Sequence, residues 1–417
     1  MRTLYTLLLY LFLPAILVRL LVRGFRNSDY WRRWGERFGR IRIDSPVGLW
    51  VHAVSVGEVR VAAPLIHALL SGATHKIIVT TMTPTGSDEV KRLFGDSVTH
   101  RYAPYDYPGS INRFLNAVQP EAVIIMETEI WPNIITKCHA RAIPVLFANL
   151  RLSEKSFRKY KKVSGLMGSV LERVSRFAVQ SSLDSRHLLE LGALPEAIQV
   201  TGSIKFEVRI PASFNEVAQV LRRDWGQERP VWIAGSTHEG EDEMVLNVFR
   251  RLKENHADLI LLLVPRHPER FAVVTRLARK SGFQTACRSE LRRDLESADI
   301  YIGDTMGDLT LLYAASDIAL VGGSMIPHGG HNVLEPCALG IPVIFGPHMF
   351  NFREIGRLTL ERGAGVQVTS EQELQDAVNR YLGDPNLRFK TGEAGRSLIK
   401  ENRGALQKTL TLFSDCL

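Results

Sequence analysis

Two acidic stretches and two loops rich in glycine, proline and histidine hold the residues best suited to chemistry. In His52-Ala-Val-Ser55-Val-Gly57-Glu58 the glutamate falls in the first turn of a predicted helix. Free backbone N–H groups there favour a carboxylate, so Glu58 either caps the helix or serves as an acid or base. Met126-Glu127-Thr128-Glu129-Ile130-Trp131-Pro132 sets two carboxylates around a threonine at the end of a predicted strand. Such acids point into a ligand cleft or cap the helix that follows. The stretch Gly322-Gly323-Ser324-Met325-Ile326-Pro327-His328-Gly329-Gly330-His331-Asn332-Val333-Leu334-Glu335-Pro336 is richer still. Its glycines let backbone approach a ligand closely, and a helix start near Asn332 offers N–H groups to an anion. Glu335 is placed to accept hydrogen bonds from ribose hydroxyls. The spacing of His328 and His331 suits a metal, but a glycine loop is a poor platform for zinc and no third ligand stands nearby, so no metal is assigned. Val264-Pro265-Arg266-His267-Pro268-Glu269-Arg270 puts an arginine and a histidine at another strand end, as ligand contacts or as a solvated charge cluster.

These residues need a scaffold that brings strand ends together. From about residue 48, short apolar runs alternate with helical patterns: 48–54, 76–83, 122–128, 143–150, 176–182 and 198–207. A second series follows at 230–237, 258–267, 299–304, 317–324 and 341–347. Strands alternating with helices predict parallel βαβ units in doubly wound sheets, which bind ligands outside the carboxyl ends of their strands. Two such halves facing a cleft would suit an enzyme that joins two substrates. Residues 208–229 read as an irregular linker. Neither half opens with GxGxxG, and no GxxxxGK[ST] loop is present, which weakens dehydrogenase and ATPase readings.

The chain has 417 residues, 45% hydrophobic and 23% charged, which excludes disorder, collagen and coiled coil as whole-chain descriptions. Its four cysteines are scattered and form no CxxC pair, as expected in a reducing compartment. Of the net +8, residues 1–50 hold +6, with nine arginines against Asp29, Glu36 and Asp44. The remaining body is close to neutral, so a nucleic-acid partner is not expected. Residues 3–22 are apolar except for Thr3, Thr6 and Arg19, and twenty helical residues span about 30 Å, a bilayer's hydrocarbon core. Arginines 23, 26, 32, 33, 37, 40 and 42 follow, interleaved with Trp31 and Trp34. The pattern predicts an N-terminal membrane-anchor helix with the body on the cytoplasmic side; Pro14 leaves open whether the helix spans the bilayer or lies in its interface.

Taken together, HAVSVGE, METEIWP, TGSIKF, VPRHPERF, GDL, GGS…GGHNVLEP and FGPHMFNF resemble the bacterial Kdo transferases, over essentially the whole chain. Kdo is 3-deoxy-D-manno-octulosonic acid. The resemblance implies an α/β fold of GT-B architecture, with two Rossmann-like doubly wound domains facing a cleft. Residues 1–30 would be the anchor with its basic flank, 31–210 the acceptor-binding domain and 211–417 the CMP-Kdo-binding domain. It implies inverting transfer of Kdo from CMP-Kdo to a lipid A precursor (lipid IVA) on the cytoplasmic face of the inner membrane. By resemblance, Glu58 is the general base, and Glu129 and Lys205 stabilise the transition state. Pro265, Arg266, Met306, Gly307, Asp308, Asn332, Val333, Leu334 and Glu335 match CMP-binding segments. The family usually carries Glu where this chain has Asp308. No cofactor is implied and metal independence is expected, since CMP leaves with a single phosphate and no DxD motif is present. The alternatives are another membrane-associated GT-B transferase acting on a lipid-linked sugar, or a sugar-sensing protein without turnover.

Overall fold

Short runs of Val, Ile, Leu and Ala buried along their whole length make the centre of each sheet, as expected where helices cover both faces. The structure, a computed structural model, describes residues 1–43, 47–72, 76–290 and 295–416; Asp44 of the basic N-terminal segment lies outside the described residues. The chain divides into two compact units, residues 1–207 with 402–417, and residues 208–401.

In the first unit the strands are β1 (Leu49–His52), β2 (Ile77–Thr81), β3 (Thr99–Tyr102), β4 (Ala122–Met126), β5 (Val145–Leu150), β6 (Arg176–Val179) and β7 (Ile198–Val200). They form one parallel sheet in the order β3-β2-β1-β4-β5-β6-β7. The order reverses between β1 and β4, which lie side by side with His52 opposite Ile125. That switch point is where an open α/β sheet leaves room for a ligand at its carboxyl edge. The acidic stretches at 52–58 and 126–132 leave the sheet there.

The second unit holds β8 (Val231–Thr237), β9 (Ile260–Pro265), β10 (Thr285–Cys287), β11 (Ile300–Ile302), β12 (Ile318–Val321), β13 (Val343–Phe345) and β14 (Gly365–Gln367). This sheet is also parallel, in the order β10-β11-β9-β8-β12-β13-β14, and its switch point lies between β8 and β12. Residues 208–229 are not an irregular linker. A helix, Ser213–Trp225, runs through them and buries Ala218, Leu221 and Trp225, with the Trp225 ring 5.1 Å from that of Tyr301. Apolar residues at 214, 218, 221 and 225 have the helical period that this reading overlooked.

The expected second domain ran to residue 417, but the last sixteen residues belong to the first unit. The helix Ala405–Ser414 buries Leu406, Leu412 and Phe413 in the core that also holds Leu49, Val59 and Leu65. The Glu207 carboxylate accepts hydrogen bonds from the backbone N–H groups of Gly404 (2.8 Å) and Leu406 (3.2 Å), fixing the start of that helix.

The single anchor helix expected over 3–22 is also corrected. Two helices, Arg2–Leu11 and Leu13–Arg26, are bent by 48° at Phe12, and no single helix among the described residues is long and apolar enough to cross a membrane. Pro14 sits in the first turn of the second helix, where its missing N–H fits a helix start and interrupts the ladder of the first. One side of the first helix is tied to the domain. The Tyr5 hydroxyl donates to Asp106 (2.9 Å), Thr6 exchanges hydrogen bonds with the Asn133 amide, and the Tyr107 hydroxyl donates to the Leu9 carbonyl (3.0 Å). Leu4, Leu7, Leu8, Leu11 and Phe12 stay exposed, as do Val18, Leu21, Val22 and Phe25 on the second helix.

The arginines behind this pair do not form one solvated run. Arg37 is buried, donates to the Met82 carbonyl (3.1 Å) and lies over the Tyr102 ring. Arg33 pairs with Glu36 at 2.8 Å and also reaches His100. Both are structural; Arg32, beside Asp29, is exposed.

Candidate active site

Ser55 and Glu58 cap the start of the helix Val56–Ser71 in a variant of the capping box, with Glu58 reaching the N–H one residue before the Ser55 cap. The Ser55 hydroxyl accepts from the Glu58 N–H (3.3 Å), while the Glu58 carboxylate accepts from the Val54 N–H (2.8 Å) and the Ser55 hydroxyl (3.0 Å). Glu58 is therefore a cap. Capping alone would favour its ionised form, yet its pKa is pushed up to about 8. Burial is the main cause, and the negative charges of Glu129 and Glu127 add to it against the two hydrogen bonds. A carboxyl held near neutral pH beside two other acids is poised to exchange a proton, which a surface cap is not.

The neighbouring acids come from the turn after β4. Glu127 adopts a left-handed backbone (φ 52°), which turns the chain sharply as it leaves the strand. Glu129 accepts from the Trp131 indole N–H (2.8 Å), and burial raises its pKa as well. The turn is braced from behind by Asp106, whose carboxylate accepts the N–H groups of Asn133 (3.0 Å) and Ile134 (2.8 Å) at the start of the helix Pro132–His139. Lys205 arrives from a distant segment. Fully buried Asn149, near the end of β5, accepts from the Ile204 N–H (2.9 Å) and the Ser203 hydroxyl (3.2 Å), holding the short turn that carries Lys205. The lysine ammonium lies 3.4 Å from Glu127, not from Glu129. Glu58, Glu127, Glu129 and Lys205 thus share one carboxyl-edge cluster. His52 takes no part in proton exchange: it is fully buried, contacts Thr80 at 2.9 Å, and burial lowers its pKa to about 3.

In the second unit the predicted ligand segments leave neighbouring strands. Thr237 of β8 is in register with Pro265 of β9, and the Arg266 N–H donates to the Thr237 carbonyl (3.0 Å). Met306, Gly307 and Asp308 follow β11; Met306 is exposed, and Gly307 needs the left-handed backbone that it adopts (φ 96°). The Asp308 carboxylate accepts from Thr305 (2.6 Å) in its own loop and from Arg288 (3.2 Å) just after β10, so its side chain is already engaged. Glu335 joins two segments: one oxygen accepts from the Thr310 hydroxyl (2.8 Å), the other from the Asn332 amide (3.1 Å). Asn332 in turn caps the Leu334 N–H (3.1 Å), and Val333 and Leu334 are buried beneath this turn.

Two residues overlooked in the sequence organise this edge. Glu241, almost fully buried, accepts four backbone hydrogen bonds, from His238 (3.0 Å), Gly323 (2.7 Å), Ser324 (3.1 Å) and Met325 (3.0 Å). It locks the loop after β8 to the loop after β12. His238 is the third imidazole that was not expected near His328 and His331. Its Nε2 lies 2.8 Å from that of His331, and its ring centroid is 3.8 Å from that of His328. Burial, then the neighbouring His328, lower the His238 pKa to about 4, so the ring is neutral.

Both units of the chain have known relatives. Residues 32–208 match the family described as 3-Deoxy-D-manno-octulosonic-acid transferase (kdotransferase), and residues 228–398 match Glycosyl transferases group 1. The chain is 43% identical to the 3-deoxy-D-manno-octulosonic acid transferase of Haemophilus influenzae, covering all of this chain and 99% of that protein. It is 35% identical to the Bordetella pertussis protein of the same name, again over 100% and 99%. Among solved structures, the UDP-GlcNAc 2-epimerase of Neisseria meningitidis superposes with a TM-score of 0.58 at 15% identity, covering 88% of this chain and all of that one. A glycosyltransferase from Rickettsia africae gives 0.55 at 18% identity, over 90% and 99%. These two show the fold alone, α/β units of the GT-B type. Near-complete coverage at 43% identity shows the family: the chain is a member of the 3-deoxy-D-manno-octulosonic acid (Kdo) transferases, a family of glycosyltransferases.

Proposed function

We propose that this chain transfers Kdo from CMP-Kdo to a sugar hydroxyl of a lipid A precursor such as lipid IVA, with inversion and with Glu58 as the base. The observation that carries the reading is the Glu58 carboxyl, raised to about 8 beside Glu127, Glu129 and Lys205 at a sheet switch point. Ionised Glu58 takes the proton of the acceptor hydroxyl as its oxygen attacks the anomeric carbon of Kdo, and the bond to CMP breaks. The Lys205 ammonium and the Glu129 carboxyl balance charge around the transition state. The second unit holds the nucleotide through Pro265 and Arg266, the turn Met306–Gly307–Asp308, and Asn332 to Glu335. The step needs no metal in this account, because the departing CMP carries one phosphate that cationic and N–H groups can hold. The test is CMP release with lipid IVA, measured with CMP-Kdo and with UDP-sugars, with and without EDTA. Turnover should require CMP-Kdo and survive EDTA; turnover with a UDP-sugar instead would point to another lipid-directed transferase.

Replacing Arg266 or Glu335 with Ala should weaken CMP binding. Loss of a hydrogen bond to a charged group costs about 1.5–3 kcal/mol, or roughly 10- to 150-fold in Kd. Titration calorimetry with CMP measures this directly, and unchanged affinity in both variants would place the nucleotide elsewhere.

The lipid acceptor also gives a reason for the N-terminal helix pair. We place the pair in the membrane interface, on the cytoplasmic face of the inner membrane, because one side is bonded to the domain and the other exposes leucines and phenylalanine. Such attachment should resist high salt, since apolar burial is not screened. Replacing Leu7, Leu11 and Phe12 with Ser should remove about 1.5 kcal/mol each, roughly 10³-fold in vesicle partitioning, without lowering the melting temperature. Release of the wild-type protein by salt alone would sink this placement.

A further inference from the structure

We infer that His238, His328 and His331 form a binding site for a borderline divalent cation of the Zn²⁺, Ni²⁺ and Cu²⁺ class. One ring nitrogen from each of the three lies within 4.8 Å of the others. Ligands about 2.0–2.1 Å from a tetrahedral zinc sit roughly 3.4 Å apart, so a small turn of the exposed His328 ring closes the set. His238 and His331 already approach closer than that, at 2.8 Å, sharing one proton between their Nε2 atoms. Moving that proton to Nδ1 of the donating ring frees both Nε2 lone pairs with no change in charge.

A glycine-rich loop would be a poor platform if it were loose, and this one is clamped on several sides. The Glu241 carboxylate fixes the backbone of His238 and of Gly323 to Met325. The Gly330 N–H donates to the Gly323 carbonyl (2.7 Å), the His328 N–H to Ile326 (2.7 Å) and the Asn351 N–H to Gly329 (3.0 Å). Gly323 matters for a second reason. A Cβ there would lie 3.1 Å from the His331 ring and push that imidazole by a few tenths of an ångström, and the backbone (φ 66°) is the left-handed one glycine favours.

The donor set predicts the ion. Three imidazoles and no carboxylate suit zinc, nickel or copper and disfavour magnesium and calcium, which require oxygen. With three protein ligands and an exposed His328, the fourth position is open to water. None of the three imidazoles is assigned a step in the transfer proposed above, so zinc binding is compatible with turnover in EDTA.

The test is equilibrium dialysis of the EDTA-stripped, full-length protein against Zn²⁺, with Co²⁺ as a spectroscopic probe. One ion per chain should bind, Co²⁺ should give the visible absorption of a tetrahedral site, and millimolar Mg²⁺ should displace neither. His328→Ala and His331→Ala should each weaken binding at least about 10-fold and abolish the Co²⁺ band, whereas His139→Ala, at an exposed histidine elsewhere, should do neither. Because His328 is exposed, its removal should leave the melting temperature unchanged. Absence of stoichiometric zinc, or zinc that survives both substitutions in folded protein, overturns the site.

Discussion

Glu58→Gln should lower turnover by about 10²–10⁴-fold, the usual contribution of a positioned general base, while leaving CMP affinity near that of the wild type. Glutamine is also an accepted partner in a capping box, so the helix start should survive: its carbonyl oxygen can still take the Val54 N–H. The substitution therefore separates the two roles that one residue holds. A variant that folds normally and turns over normally would leave Glu58 with the capping role alone.

The wild-type enzyme should carry the matching pH signature. A base with a pKa of about 8 is mostly protonated at pH 7, so kcat/KM should rise with pH and level off above about 8. Stability should move the other way. The folded state holds this proton to about pH 8, whereas the unfolded chain releases it near the ordinary value of 4.5. Above 4.5 the unfolded state thus gains by ionising first, and stability falls as pH rises from there towards 8. Glu58→Gln removes that penalty, so the variant's melting temperature relative to the wild type should rise between pH 5 and pH 9. A parallel pair of melting curves across that range would mean that Glu58 ionises normally in the folded protein.

The wound sheets were legible because their central strands are uninterrupted apolar runs, such as Ile260–Pro265. Three of the four edge strands were not; β7 alone fell inside a predicted run. Thr99–Tyr102 reads as polar and aromatic residues with no apolar run, and Thr285–Cys287 is too short to carry a period. Motif positions predicted where Glu58 and Glu129 leave the sheet, but not that Lys205 would pair with Glu127. That pairing depends on the left-handed turn at Glu127 and on Asn149, a buried amide 56 residues from the lysine it positions. The histidine cluster was half visible. His328 and His331 are close in sequence, but His238 reaches them only because β8 and β12 are neighbours, a fact of sheet order that local spacing does not contain. The single helix expected over residues 3–22 fails for a physical reason already present in the sequence: Pro14 at the start of a new helix outweighs the continuity of hydropathy around it.

Sheet order also explains why Glu241 escaped notice, and why its loss should be severe. In sequence it is one of four acids in HEGEDE, an unremarkable helix start. In the fold its carboxylate is 1% exposed and is the shared acceptor for four N–H groups on two loops. Glu241→Gln keeps the shape but replaces one acceptor oxygen with an NH₂ facing backbone donors. At least two buried N–H groups then lose their partner, and breaking a buried charged network of this kind costs about 3–5 kcal/mol. For a unit of this size that corresponds to a drop of about 6–20 °C in melting temperature. Because the same carboxylate holds Gly323 to Met325, at the start of the loop that leads to Asn332–Glu335, CMP affinity should fall together with stability. Glu239→Gln, two residues earlier and exposed, should change neither. If calorimetry shows Glu241→Gln melting within 2 °C of the wild type, the loops after β8 and β12 are held together by something other than this carboxylate.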